Sequence, residues 1–127
     1  MRTFIKIIAV TLLITVPVTA ALADELPIHK KRLSDRVLVI YVGEQFQTIG
    51  VVALATEKGI ATIDSSLFRS HDQRVREAIA EEFGRNDFRY HINTHHHHDH
   101  TAGNQVYKDV DIIAHKNCPA HMREELT

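Results

Sequence analysis

The six positions from His95 to His100 hold five imidazoles and one carboxylate, His95-His96-His97-His98-Asp99-His100, set between Thr94 and a Gly103-Asn104 pair. Each of these side chains can ligate a first-row metal, since zinc is held in a compact shell by neutral imidazole nitrogen and carboxylate oxygen. At the end of a strand alternate side chains share a face, so His95 and His97 point the same way and can grip one ion. Asp99 and His100 lie past the bend, where they can face a second. His96 and His98 then point away. Two such metals can hold a bridging hydroxide and bring the pKa of that water near neutrality, giving a nucleophile without Ser or Cys. Asp99 can also orient the attacking water or take up its proton.

Such a run needs a strand to deliver it and a sheet to hold that strand. Phe88 to Asn93 supplies the strand. Upstream, Arg36 to Val42, Thr48 to Ala55 and Ile60 to Asp64 read as a β-meander, with Glu57-Lys58-Gly59 turning the last hairpin. A helix follows, opened by Ser70 with Gln73 in capping-box spacing. Its apolar stripe is Val75, Ala78, Ile79 and Phe83, and Gly84 ends it. Beyond the run, a helix starts over Thr101 to Tyr107, Val110 to Ala114 is a strand, and Asn117 caps a last helix. Strands alternating with helices predict an α/β fold, or α+β with a mixed sheet. His29, His71 and His91 receive no functional role.

The chain has 127 residues, with 15 Lys+Arg against 16 Asp+Glu. That balance argues against a nucleic-acid partner and a polybasic membrane patch. Residues 1–23 have the form of a cleavable signal peptide: Arg2 and Lys6, an apolar run from Ile7 to Val18, then Ala21-Leu22-Ala23. The expected mature domain is 24–127, periplasmic or secreted from a bacterium and free of the membrane. Asp24 to Lys31 reads as an extended leader. Cys118 is the lone cysteine, so no intrachain disulfide is expected, and it reads as a small, partly buried residue at a helix start.

The pattern His-x-His-x-Asp-His, with Thr before it and Gly-Asn after, resembles the signature of the metallo-β-lactamase superfamily. His95, His97, Asp99 and His100 match its positions one for one. The run Thr94-His95-His96-His97-x-Asp99-His100 is similar to the glyoxalase II version. Asp64, closing the hairpin, resembles the superfamily's earlier aspartate, which braces the metal loop. The resemblance implies an αββα sandwich with metals at one edge between two sheets. It implies two zinc ions, with Fe or Mn as substitutes, held by His95, His97, Asp99 and His100. It further implies hydrolysis of an ester, thioester or lactam carbonyl in a small molecule by metal-bound hydroxide.

The superfamily also carries a later histidine, a bridging aspartate and a final histidine. After His100 this sequence offers His115 and His121, with Asp109 and Asp111, and none lies where those motifs are expected. The expectation is therefore the N-terminal half of such a sandwich. The rival reading is a non-catalytic periplasmic metal binder, or a truncated relative, holding several ions loosely.

Overall fold

The computed structural model describes residues 26–43 and 50–125. The expected signal peptide, the connection over 44–47 and the strand start assigned to Thr48 lie outside the described residues. Six strands form one sheet: β1 Ile28–Ser34, β2 Val37–Val42, β3 Val51–Thr56, β4 Gly59–Ile63, β5 Phe88–Ile92 and β6 Asp111–Ile113. They lie in sequence order across the sheet. β1 to β4 are an antiparallel meander, whereas β4, β5 and β6 run parallel. The sheet is mixed and the class is α/β, as expected.

Alternation along the strands sorts the core. Leu38, Ile40 and Val42 of β2, Val51 and Ala53 of β3 and Ile60 of β4 meet Val75, Ala78 and Ile79 of α1 (Arg69–Phe83). Full burial of a large aliphatic contributes about 1.5–3 kcal/mol over leaving it exposed. Leu38, Ile40, Ile60, Val75 and Ile79 are all at 0% exposure, so this face fastens the helix to the sheet. The reverse face carries Val37, Tyr41, Val52, Leu54 and Ile63, each half-buried.

Several local expectations fail. Within the segment read as a leader, Ile28 to Lys31 instead form the first half of β1 and pair with β2. Lys30 and Arg32 alternate on one side and clasp Glu82 near the end of α1. Lys30 Nζ lies 3.2 Å from Oε1, and Arg32 Nη2 donates to Oε2 at 2.9 Å and to the Glu82 carbonyl at 2.7 Å. An outer strand bearing cations is what protects a sheet edge. The Ser70–Gln73 capping box also does not form: the helix begins at Arg69, with Phe68 in the cap position and no side-chain cap bond. Asp72 instead reaches back, accepting the Ser66 N–H at 2.8 Å and the Ser66 hydroxyl at 3.2 Å.

Beyond β5, the single helix expected over Thr101–Tyr107 is a short α2 (His98–Thr101) followed by a 3₁₀ turn, Ala102–Val106. α3 (Cys118–Glu124) starts after Asn117, whose side chain makes no capping bond, and Cys118 is buried at that start. Among the described residues no helix is long and apolar enough to cross a membrane.

Candidate metal centre

Ile63 and Ile92 end the parallel strands β4 and β5 side by side, so the segments that follow both strands emerge at one sheet edge. Asp64, the first residue past β4, donates its N–H to the Ile92 carbonyl at 2.8 Å. It is the one described non-glycine residue with positive φ, at 57°, a conformation Asp tolerates better than most residues. That turn swings its carboxylate over the His run. It accepts the Thr94 N–H and the Thr94 hydroxyl, both at 2.8 Å, and Oδ2 lies 3.0 Å from His100 Nδ1. The His100 contact is short but off-axis, and Nδ1 is buried without an aligned hydrogen bond.

The donors then fall into two pairs. His95 Nε2 lies 3.0 Å from His97 Nδ1, and His100 Nε2 lies 3.8 Å from Asp99 Oδ2. The His95 and His100 rings sit 4.0 Å apart, so the pairs are adjacent. Two ligand atoms about 2.1 Å from one zinc ion stand about 3.4 Å apart in a tetrahedron and at most about 4.2 Å. The Asp99–His100 pair falls inside that span, and the His95–His97 pair is shorter than it and opens by about 0.4 Å to reach the tetrahedral spacing.

Proton positions favour the same use. The Thr94 hydroxyl donates to Asp64, so at its 3.0 Å contact with His95 Nδ1 it accepts, placing the proton on Nδ1 and leaving the Nε2 lone pair facing His97. The Asp64 carboxylate stands beside His100 Nδ1, and the other ring nitrogen, Nε2, is the one directed toward Asp99. Two imidazole nitrogens at 3.0 Å repel unless a proton or cation lies between them. The donor set suits a divalent cation.

Beneath this rim lies a buried polar layer that sequence reasoning missed. Asn93 and Asn104 exchange amide hydrogen bonds, both at 2.9 Å. His91, fully buried, contacts Asn104 Oδ1 through Nε2 at 3.1 Å and Thr62 Oγ1 through Nδ1 at 2.8 Å. Its ring stacks on Tyr107 at 4.2 Å between centroids. Burial pushes the His91 pKa down to about 4, opposed by the Asn104 bond, so the ring is neutral near pH 7. The Ser65 hydroxyl donates to the His100 carbonyl at 2.9 Å and accepts the Gly103 N–H at 2.9 Å. A Cβ on Gly103 would stand 2.3 Å from Asp72 Oδ2 and 2.5 Å from Ser65 Cβ. The Gly-Asn pair is there for this close approach. Asp72 is fully buried, and desolvation, outweighing its Ser66 bonds, raises its pKa to about 6.

The later candidates do not join the pairs. Asp109 is forked to Arg76 at 2.6 and 2.7 Å, and Asp111 faces Arg89 at 3.4 Å. His115 Nδ1 accepts the Asn117 N–H at 3.3 Å. The His121 ring meets that of His96, 5.0 Å away. His98 is exposed, while His96 is half-buried and turned toward α3.

Residues 42–127 match the family model of the metallo-beta-lactamase superfamily. Among solved structures, the fold is similar to a metallo-beta-lactamase from Pontibacter korlensis, at TM-score 0.64 and 14% identity, covering 77% of this chain and 48% of that one. A metallo-beta-lactamase from Hirschia baltica gives 0.65 and 14%, covering 78% and 48%. The metallo-beta-lactamase FIM-1 from Pseudomonas aeruginosa, solved in a mono-zinc form, gives 0.66 and 10%, covering 80% and 47%. The chain thus spans about half the length of these structures. No curated protein sequence matches it.

Proposed function

Because this chain belongs to the metallo-β-lactamase superfamily, whose members are mostly metal-dependent hydrolases of small molecules, we propose that it carries the metal-binding edge of such a hydrolase. The observation that supports this best is the pairing of His95 Nε2 with His97 Nδ1 and of Asp99 Oδ2 with His100 Nε2, each pair within reach of one ion. His95 and His97 hold one cation, Asp99 and His100 the other, and Asp64 orients His100. Zinc suits the imidazole-rich donors, with Fe or Mn as substitutes. Bound there, the cations supply Lewis acidity toward a carbonyl and bring the pKa of a water near neutrality.

The chain's own groups set up the rest. Thr94 fixes which nitrogen of His95 carries the proton, Asp64 stands beside His100 Nδ1, and Asp99 offers a carboxylate oxygen for the proton released by the attacking water. The substrate class we favour is a thioester, on the likeness of the 94–100 run to glyoxalase II, with ester and lactam carbonyls next. Export follows from the pattern of residues 1–23, and N-terminal sequencing of the periplasmic protein should begin at Asp24. The central test is turnover by the zinc-loaded protein of a glutathione thioester, a chromogenic ester and a chromogenic lactam. Asp99→Ala and His97→Ala should each abolish it. Undiminished turnover by both variants overturns the assignment.

A further inference from the structure

A second group of donors stands outside the motif pairs. His96 Nε2 lies 3.7 Å and His97 Nε2 3.9 Å from the same oxygen, Glu125 Oε1, just past α3. The three donor atoms lie within 4.8 Å of one another. The two N···O distances are too long for hydrogen bonds, whose N–H···O range ends near about 3.2 Å. They are close to the spacing of two ligands on a shared ion, about 3.4–4.2 Å. The three atoms reach as far as 4.8 Å from one another, so the two rings and the carboxylate must draw in by roughly half an ångström or more to share one centre. The group borders a cleft of about 460 Å³ lined by His96, His98, Thr101, Ala102, Met122 and Glu125, which gives a cation access from solvent.

We propose that His96, His97 and Glu125 form an additional site for a first-row divalent cation, separate from the His-x-His-x-Asp-His pairs but sharing one ring with them. His97 faces His95 through Nδ1 and Glu125 through Nε2. A neutral imidazole has one lone pair, so a cation on Nε2 withdraws His97 from the inner pair. The outer site therefore competes with the inner one, and a cation arriving from the cleft reaches the motif by exchange across a single ring.

The inference goes beyond the hydrolase reading, and its test does not depend on turnover. In the full chain, His95→Ala with Asp99→Ala disables both motif pairs at positions outside the hydrophobic core. This variant is titrated with Co²⁺, with bound ions counted by native mass spectrometry and the d–d absorption recorded. One Co²⁺ should remain. Adding His96→Ala or Glu125→Gln, on two different elements, should remove it, whereas adding His98→Ala, an exposed neighbour, should not. Retention of the ion by both the His96 and Glu125 variants overturns the proposal. Absence of any bound ion in the starting variant, or equal loss with His98→Ala, overturns it too. Failure of the hydrolase reading instead appears as normal turnover with Asp99→Ala, and leaves this count unchanged.

Discussion

The imidazole rim and the polar layer beneath it are built from similar residues and differ in almost everything else. The rim, His95 to His100, is half-buried or exposed, and His95 Nε2 and His97 Nδ1 face each other across it. The layer, made of Thr62, Ser65, Asp72, His91, Asn93, Gly103 and Asn104, is mostly buried and densely hydrogen-bonded. The rim offers chemistry, while the layer decides where the rim stands. Precision at an exposed site is thus supplied from below, where removing a partner leaves a buried group unsatisfied at about 1–3 kcal/mol.

The sharpest way to separate the two is Gly103→Ala. Its Cβ cannot fit between Asp72 and Ser65, so denaturant unfolding should show a loss of about 3 kcal/mol or more, and metal affinity should fall with it. Next, Asp64→Ala removes the acceptor of Thr94 and the neighbour of His100. We expect about 2 kcal/mol of lost stability and about 10–100-fold weaker binding of zinc in a competition titration. At the other end, His98→Ala should stay within about 0.5 kcal/mol of the parent. A cost for His98→Ala as large as that for Gly103→Ala would erase the distinction between rim and layer.

Between these extremes lies a pH effect that two groups of the layer set against each other. His91, with its pKa lowered to about 4 from 6.5 by burial, is protonated more readily in the unfolded chain, so its contribution to stability is lost as pH falls from about 6.5 to 4. Asp72, raised from 3.8 to about 6, is protonated more readily in the folded chain, so its term grows more favourable as pH falls through the same window. The two slopes oppose each other. Relative to the parent, Asp72→Asn should steepen acid destabilisation by up to about 1.4 kcal/mol per pH unit, and His91→Gln should shift the slope the opposite way. Identical profiles for both variants would show that these groups do not titrate with folding.

The rim, the meander and the apolar stripe of α1 were legible because each is a local pattern: ligand spacing, period two or period 3.6. The aspartate at 64 came into view only through the resemblance to the superfamily's earlier aspartate, since by itself it reads as a turn residue after a strand. β1 was missed because its signal lies in pairs across the fold. Lys30 and Arg32 look like a solvated tail until Glu82 stands beside them. The capping box failed for a similar reason, as Ser66 binds Asp72 and the chain enters the helix without Ser70. The layer was invisible because its partners are distant in sequence. Gly103 meets Asp72, His91 meets Thr62, and no window along the chain contains both members. His115, Asp109, Asp111 and His121 stand apart from the motif pairs, as their places in the sequence suggested.

The joining of Asp64 to Thr94 has a consequence for how the molecule is made. The two residues are 30 positions apart, on strands that pair in parallel only after α1 has crossed over between them. The meander can zip from a hairpin, whereas this pairing must first pay the closure entropy of a long loop. The edge that carries Asp64 and the His run is therefore expected among the last parts of the chain to assemble. A cation that binds only the assembled edge stabilises it in proportion to the logarithm of its concentration. Nascent chains folding in zinc-poor surroundings should dwell longer with a finished meander and an open crossover.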